Sequence, residues 1–363
     1  MTFDKPDSES PFLTFVANEF RKRGTELRSQ LSNKTYVKTL LDKTPFNGET
    51  IAMANELAVV DDVEDITAEK LGQRAVLKPA SGWSSRGVML LEKASDDTYF
   101  DYMSLRERKL AAIRKRQIEV ANSFKSQEPK WIIEEFLESP QPGAIPFDYK
   151  FYMFQDQIGL VVQIDRNTSP PKFTLFDGNF QPMVEGLDYK LTGKNAQNGT
   201  LVLPRSVTKL SAWAIHLAQQ TDAPFVSVDL YDTNSGPAFG EFTFSPGATH
   251  KRIFSYSTDV IERFDVLFKR AEAKLRGESV EQIESFSSSI QKLGKDEIDS
   301  MAPVGLEKYK ALAAHISNNG TRGAMRFQEI YEGRLKGMAE SPKRTVYGYY
   351  LSAWSKIRSI SKA

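Results

Sequence analysis

Two groups of residues in this sequence have the types and spacing needed to hold a phosphorylated ligand. Lys78 ends an apolar run, and the glycine- and serine-rich loop that follows it contains Ser84 and Ser85. A lysine at a strand end brings a point charge to phosphate oxygens, and the backbone N–H groups of such a loop can face an anion. The loop is not a Walker A sequence, because no Gly-Lys-Ser/Thr follows at the required spacing. An ordinary hairpin turn with a surface lysine explains the same residues.

The second group is a pair of carboxylates, Asp229 and Glu241, each embedded in an apolar run. A short turn joins the two runs, so the carboxylates can lie side by side, and a buried carboxylate is costly without a cation or a metal. Mg²⁺ takes oxygen ligands and shares them with substrate phosphates. Thr243 falls on the same strand face as Glu241 and offers one more oxygen. The alternative is two acids on the solvated face of an amphipathic hairpin.

Two segments between these groups have residues that suit the rest of a nucleotide. The apolar segment 132–137 contains acids, and its backbone groups can pair with the edge of a purine. Asp148 and Lys150 share one face of the next strand, because alternate residues do, and they can meet ribose hydroxyls and a phosphate. The plainer interpretations are a strand with a solvated tip and an ion pair on a sheet surface.

The elements that must position these residues are strands in the middle of the chain, flanked by helical ends. Short apolar runs bounded by turn signals predict strands at 75–78, 87–92, 131–137, 148–154, 158–164, 225–231 and 238–244. Apolar periodicity and flanking residues predict helices at 11–30, 34–41, 103–124 and 208–220, and a mainly helical region from about 257 onward. This arrangement predicts an α+β assembly of lobes.

Turn signals and composition divide the chain into four predicted regions. They are an N-terminal helical or linker region, a small lobe, a large lobe and a basic helical extension, at 1–72, 73–138, 139–256 and 257–363. Residues 301–363 carry 11 Lys and Arg against four Asp and Glu. This tail can dock on an anionic partner, although an apolar stripe along it also fits a helix packed on the body.

Composition excludes several classes of protein. The absence of cysteine excludes disulfides, thiolate metal sites and a cysteine nucleophile. No apolar run approaches the roughly 20 residues that span a bilayer. The first residues lack the apolar region of a signal peptide. We therefore expect a soluble, cytoplasmic protein without a nucleic-acid partner.

The order of these elements resembles the ATP-grasp superfamily, and most of all its TupA-like branch, named for a teichuronopeptide biosynthesis protein. The resemblance covers roughly residues 30–255. It is carried by Ser32-Asn33-Lys34, the Lys78 loop, Glu134–Leu137, Phe147–Tyr152, Asp165-Arg166, Val228–Tyr231 and Gly240–Gly247. It implies an ATP-grasp fold in which two α+β lobes enclose ATP, with the C-terminal helices lying outside it as an extension.

The resemblance also implies a role for each singled-out residue. Contacts to ATP would come from Lys34, Lys78, Ser84, Ser85, Glu134, Phe136, Leu137 and Asp148, the first four at the phosphates, the next three at adenine and the last at the ribose. Mg²⁺ would be held by Asp229, Glu241 and Thr243, although many ATP-grasp enzymes carry asparagine where this threonine stands. The transferred phosphoryl group or the activated carboxylate would face Lys150 and Arg166.

The implied chemistry is ligation of a carboxylate substrate to an amine substrate. The carboxylate attacks the γ-phosphate of ATP to give an acyl phosphate and ADP, and the amine then displaces phosphate to form an amide. The TupA-like setting implies cell-surface polysaccharide or peptide-polymer biosynthesis, where the basic tail can reach an anionic polymer or membrane-associated synthesis machinery. Two alternatives stay open: a sugar-transferring enzyme of a polysaccharide pathway, and a nucleotide-binding module without catalysis.

Overall fold

A computed structural model of the chain describes residues 9–21, 24–31, 34–80, 86–123, 129–140, 145–192, 196–250 and 253–298. Within these residues, two six-stranded sheets each pack against their own helices. The fold is therefore α+β, as the sequence predicts. The basic tail from residue 301 onward lies outside the described part of the chain.

The first sheet belongs to a lobe built from residues 56–134, which we call the first lobe. Its strands are β1 (Glu56–Val60), β2 (Arg74–Pro79), β3 (Met89–Ser95), β4 (Thr98–Asp101), β5 (Arg106–Lys109) and β6 (Trp131–Glu134). They are antiparallel in the order β1-β6-β2-β3-β4-β5. Two helices, α4 (Ala68–Leu71) and α5 (Leu110–Ser123), share one apolar core with one face of this sheet.

Alternation along β2 decides which side chains each face of the first sheet carries. Ala75 and Leu77 are fully buried in the core shared with the helices. Val76 and Lys78 therefore lie on the opposite face, since successive strand residues point to opposite sides. We call this opposite face the Lys78 face.

The second sheet belongs to the larger second lobe. Its strands are β7 (Asp148–Phe154), β8 (Gln157–Asp165), β9 (Lys172–Asp177), β11 (Gln197–Asn198), β12 (Val226–Thr233) and β13 (Gly236–Thr243), in the order β11-β9-β8-β7-β12-β13. All neighbours are antiparallel except β11 and β9. A separate pair, β10 (Tyr189–Leu191) and β14 (Phe254–Tyr256), packs nearby with the short helix α7 (Gly247–His250).

Both faces of the second sheet are buried by helices. One face shares a core with α3 (Lys34–Lys43), α6 (Val207–Ala218) and α9 (Phe286–Gln291). The other face packs against α1 (Pro11–Phe20) and α8 (Thr258–Leu275). The short helix α2 (Glu26–Gln30) connects the N-terminal helices. Because both faces are covered, the central strands β7 and β8 are buried along almost their whole length, which explains the apolar runs at 151–154 and 160–162.

The N-terminal helices pack on the second lobe, although the first lobe follows them directly in the sequence. Phe12 of α1 is fully buried among Phe154, Phe225 and Phe264, with ring centroids 4.9–5.6 Å away. At the start of α1, the buried carboxylate of Asp265 accepts hydrogen bonds from the Ser10 hydroxyl (2.6 Å) and from the Phe12 N–H (3.2 Å). The second lobe is thus built from two separated stretches of the chain.

Two crossover segments link the lobes and run beside each other. The segment before β1 is tied to the second sheet, because the Phe239 N–H donates to the Ala52 carbonyl (2.7 Å). The segment after β6 is tied in the same way, because the Asn234 N–H donates to the Glu138 carbonyl (2.9 Å). The two segments join where Glu135 accepts a hydrogen bond from the Asn55 side chain (2.7 Å). Both crossovers are therefore braced against the β12–β13 hairpin.

Several predicted elements differ from the structure. The predicted helix over 103–124 begins only at Leu110, because Arg106–Lys109 pairs with β4 as an edge strand. The predicted helix over 11–30 is two helices, α1 and α2. The predicted strand over 131–137 ends at Glu134. Strand β1 was not predicted, and it places residues 56–60, which fall in the predicted N-terminal region, in the first sheet.

Candidate functional site

A row of three ionisable side chains crosses the second sheet. Asp229 of β12 lies opposite Lys150 of β7 on one side and opposite Glu241 of β13 on the other. The Lys150 ammonium forms an ion pair with the Asp229 carboxylate. Asp229 is 1% exposed, whereas Glu241 at the edge strand is exposed. The sheet register therefore brings together the two predicted metal ligands and a predicted catalytic lysine.

A second carboxylate, Asp148, extends this row along β7. Its Oδ2 lies 3.4 Å from the Lys150 Nζ and 2.9 Å from an Arg166 Nη2, and its side chain is 2% exposed. Arg166 directly follows β8, the strand beside β7. We call the five residues Asp148, Lys150, Arg166, Asp229 and Glu241 the charged cluster. It brings three carboxyl groups together with two cations, so the carboxyl groups outnumber the positive charges.

The pKa values in the charged cluster are shifted by burial and by these neighbours. Burial raises the pKa of Asp229 well above its usual value, and the carboxylates of Asp148 and Glu241 add to the effect against the opposing charge of Lys150. Burial also opposes ionisation of Asp148, but Lys150 and Arg166 outweigh it and hold the pKa of Asp148 below its usual value. The three carboxylates likewise outweigh the burial of Lys150 and raise its pKa. A strongly perturbed group of this kind is typical of functional sites.

The strand β12 positions the central carboxylate by alternation. Val228 and Leu230 are fully buried in the core on the α6 side, so Asp229 points to the other face. The buried Ser227 hydroxyl donates to Asp229 Oδ1 (2.9 Å) and fixes that oxygen. The pairing of β12 with β13 is irregular between Asp229 and Leu230, and such bulges re-aim side chains near functional sites. Sequence reasoning did not single out Ser227, although it stands two residues from Asp229 on the same face.

Tyr231 is a further residue of this face that sequence reasoning did not single out as a ligand contact. It lies opposite Asp148 in the sheet register. Its ring passes over Gly240, where a Cβ atom would come within 2.8 Å of the ring. Burial, reinforced by Asp148 and Glu241, raises the pKa of Tyr231, so its phenol stays protonated. The sequence signal that could have identified Tyr231 is Gly240, directly before Glu241, because a residue without a side chain leaves room for a neighbouring ring.

On the first lobe, the structure pairs two residues predicted to contact ATP. The Lys78 ammonium forms an ion pair with the Glu134 carboxylate, and their side chains are 12% and 10% exposed. Glu134 ends β6 and lies opposite Val76 in the register, so both ionised groups belong to the Lys78 face. The pair joins the predicted phosphate and adenine contacts on one surface.

The remaining predicted nucleotide contacts differ in how the structure places them. Phe136 is 7% exposed, and the guanidinium group of Arg74 covers its ring at 4.1 Å from the centroid. Leu137 is partly exposed beside it. Ser84 and Ser85 lie outside the described residues, as does the side chain of Lys34, which stands at the start of α3.

A sequence model of the family described as "TupA-like ATPgrasp" matches residues 16–262, which is more than half of the chain. The chain belongs to this family. Its membership supports an ATP-dependent ligase with a nucleotide-binding site. A search of curated protein sequences found no significant match.

Three solved structures of ATP-grasp and D-alanine–D-alanine ligases are similar to this ATP-grasp protein. The ATP-grasp ligase PsnB, complexed with a minimal precursor, is 11% identical over 72% of this chain and 68% of its own, with a TM-score of 0.36. D-alanine–D-alanine ligase from Helicobacter pylori is 13% identical over 66% of this chain and 58% of its own, with a TM-score of 0.36. The Bacillus anthracis enzyme complexed with ATP is 14% identical over 69% and 68%, with a TM-score of 0.37. This chain thus spans less than two thirds of the Helicobacter pylori ligase.

The oxygen atoms of the ATP-grasp protein's charged cluster suit a magnesium ion. Mg²⁺ is bound by one or two carboxylates together with substrate phosphates and water, and the neighbouring carboxylates of Asp229 and Glu241 match that donor set. Thr243 lies opposite Ser227 and is partly exposed, one alternation further along β13. No group of three or more His, Asp or Glu side chains in the described residues could hold a metal by itself. A metal here needs oxygens from a bound substrate.

In the part of the chain that the structure describes, no helix combines the length and the apolar character needed to cross a bilayer.

Proposed function

We propose that this protein is an ATP- and Mg²⁺-dependent ligase that joins a carboxylate to an amine through an acyl phosphate. The observation that supports this most is the row Lys150–Asp229–Glu241 on the second sheet. The row places a cation that can contact a phosphoryl group beside two carboxylates that can share a metal with it. Such sites act mainly by positioning the reactants and stabilising charge.

We place the nucleotide between the Lys78 face of the first lobe and the charged cluster of the second. The hairpin that carries Asp229 and Glu241 turns at Asn234, whose N–H donates to the Glu138 carbonyl just after the predicted adenine segment. Running back along β12 from this turn, the sheet presents Tyr231 and then Asp229. This order supports adenine near the crossover and phosphates near the carboxylates.

In this proposal, each part of ATP has named contacts. Adenine lies against Glu134, Phe136 and Leu137, and the phosphates lie near Lys78, Lys34 and the loop with Ser84 and Ser85. Asp148 faces the ribose, and its second carboxylate oxygen supports this role, because that buried Oδ1 has no hydrogen-bond partner among the residues that the structure describes. A buried polar atom of this kind calls for a donor, which a ribose hydroxyl supplies.

The proposed chemistry needs no nucleophile from the protein. Asp229 and Glu241, with Thr243, would hold Mg²⁺, which when bound neutralises charge on the phosphates. Lys150 and Arg166 orient the substrate carboxylate toward the γ-phosphate and stabilise the charge that develops there. Lys150 carries a raised pKa and therefore stays a cation throughout. The acyl phosphate then reacts with the amine, and phosphate leaves.

We also propose the setting of this reaction. The resemblance to the TupA-like branch implies a role in building a cell-surface polysaccharide or peptide polymer, with synthesis in the cytoplasm. The predicted boundary between the small and the large lobe, at 138/139, remains a proposal within this scheme, as does docking of the basic tail on an anionic polymer or membrane-associated machinery.

The test is release of ADP and phosphate from ATP and Mg²⁺ across a panel of paired carboxylates and amines. Release that needs both members of a pair is the expected result. An Asp229→Asn variant should bind nucleotide weakly and lose this release, while Asp259→Asn, at the start of α8, serves as a matched control. AMP and pyrophosphate as products would contradict an acyl phosphate. Nucleotide binding without turnover for any pair would favour a non-catalytic module, and transfer from a nucleotide-sugar would favour sugar transfer.

A further inference from the structure

Arg74 makes contacts to both sides of the predicted adenine segment. Its guanidinium group lies over the Phe136 ring at 4.1 Å, and its Nη1 donates to the Glu138 Oε1 at 2.9 Å. These two residues flank Leu137. On the other side, towards β3, the Arg74 Nε lies 3.3 Å from the Glu92 carboxylate, which is an ion-pair contact without hydrogen-bond geometry. One side chain of β2 thus contacts the side chains of the residues directly before and after Leu137.

The environment of Arg74 is built to keep this geometry. Glu92 also accepts a hydrogen bond from the Tyr102 hydroxyl (2.7 Å), and the Tyr102 ring packs edge-on against Phe136 with centroids 5.8 Å apart. Glu138 is held on its other side by the second lobe, through Asn234. The segment around Leu137 is therefore clamped between β2 and the β12–β13 turn.

Arg74 lies on the same face of β2 as Lys78 but at the opposite end of the strand. Four residues of extended chain separate the two by about 13 Å. The Lys78 end is the one proposed for the phosphates. The Arg74 end therefore lies where the base of a nucleotide would be, next to the crossover.

We propose that Arg74 is a positioning residue for the nucleotide base, acting through Phe136 and Glu138 on the backbone of Leu137. This inference rests on the proposed function, because it requires a nucleotide at this segment. Arginine suits the task better than lysine, since a planar guanidinium can stack on a ring and bind a carboxylate in a fixed direction at once. The Arg74 and Glu138 side chains are 29% and 59% exposed, and ion pairs this exposed add little to global stability. We therefore expect the Arg74 contacts to affect the local geometry of the segment around Leu137, and not the stability of the whole protein.

The experiment compares two ligands that differ in whether they carry a base. Binding of MgADP and of magnesium tripolyphosphate is measured by calorimetry for the wild type and for Arg74→Met. Loss of a cation–π contact and a directed ion pair should weaken MgADP binding about five- to tenfold. Tripolyphosphate binding should stay unchanged, because Arg74 acts only at the base. Arg74→Lys keeps the positive charge but not the stacking on Phe136, so its MgADP affinity should lie between those of the wild type and Arg74→Met.

Arg114→Met is the matched control. Arg114 of α5 is comparably exposed (23%) and also contacts a carboxylate, Glu64 at 2.8 Å, but it lies on the helical side of the first sheet. It should leave both affinities unchanged. If Arg74→Met does not fold, Arg74→Lys replaces it with the same expected selectivity.

Three outcomes are distinguishable. Unchanged MgADP affinity in a folded Arg74→Met protein overturns the role of Arg74 and leaves the proposed function intact. An equal loss for MgADP and tripolyphosphate shows a general disturbance of the lobe and also overturns the positioning role. A wild-type protein that binds neither ligand overturns the proposed function itself.

Discussion

Replacing Lys150 by methionine should lower the free energy of unfolding, by an amount that depends on pH. The lysine side chain is 16% exposed and contacts two carboxylates, Asp148 and Asp229, that are 2% and 1% exposed. At 3.4 Å from Asp148 Oδ2, its attraction to that carboxylate alone is about 5 kcal/mol at an effective dielectric constant of 20. Removing one partner from a buried pair leaves the other charge uncompensated, so the free energy of unfolding should fall by about 3–5 kcal/mol at neutral pH.

The pH dependence of this loss follows from the direction of the pKa shifts. Without Lys150, the pKa values of the remaining buried carboxylates rise, and the folded state binds protons more readily than the unfolded state above about pH 4. Stability of the variant should therefore fall as pH rises and recover on acidification toward pH 5. In the wild type the raised pKa of Asp229 gives a dependence of the same sign, which Lys150 makes smaller because its charge lowers that pKa. The raised pKa of Lys150 keeps the contribution of the lysine itself constant until the pH exceeds the unfolded-state value of about 10.4.

Urea denaturation at pH 5.0, 6.0 and 7.5, followed by circular dichroism, measures the difference. Lys274→Met is the matched control, because Lys274 also pairs with a buried aspartate, Asp156 at 2.8 Å, which keeps a second partner in Arg270 at 2.6 Å. That variant should lose less than about 1 kcal/mol. Two results would contradict this reasoning: equal free energies of unfolding for Lys150→Met and the wild type at pH 7.5, or a difference between them that does not change with pH. Either would show that the buried carboxylates do not depend on Lys150 for charge compensation.

Three further outcomes are expected. Gly240→Ala should weaken MgADP binding, because its Cβ would come within 2.8 Å of the Tyr231 ring. Gly247→Ala is the control and should bind normally, because its Cβ would meet none of the described atoms within 4 Å. Asp265→Ala should lower the free energy of unfolding by about 1–3 kcal/mol, since it strands two donors at the start of α1; equal urea midpoints would contradict this. MgADP at 100 times its Kd should stabilise the protein by about 2.7 kcal/mol, and EDTA should remove most of that gain in a thermal-shift assay.

Local sequence signals predicted the strands that contain runs of apolar residues bounded by turn residues. Residues 148–154 were predicted as a strand with the bounds of β7, and the β12–β13 hairpin was recognised from its turn and apolar runs. The family itself was also identified from motif order, and the family match confirms it. These signals are short-range, so they do not depend on how distant segments meet.

Other features depended on long-range pairing that a sequence does not display. Strand β5, Arg-Glu-Arg-Lys, has no apolar alternation and exists because it pairs with β4. The Lys78–Glu134 ion pair follows from the register of β2 against β6. The attachment of α1 to the second lobe needed Phe225 and Phe264, which stand far along the chain. In each case the deciding partner was remote in sequence.

The chain completes the first lobe before it completes the second, which affects the order in which the two lobes can fold during synthesis. The first lobe is one uninterrupted stretch whose first and last strands meet at Glu56 and Glu134, so a ribosome delivers all of its strands early. The second lobe needs Phe12 together with Phe264, and its N-terminal helices must wait until α8 emerges. Domains tend to form as units during synthesis, and distant contacts form slowly. The hairpin that carries Asp229 and Glu241, which is hydrogen-bonded to both crossover segments, is therefore synthesised after the whole of the first lobe.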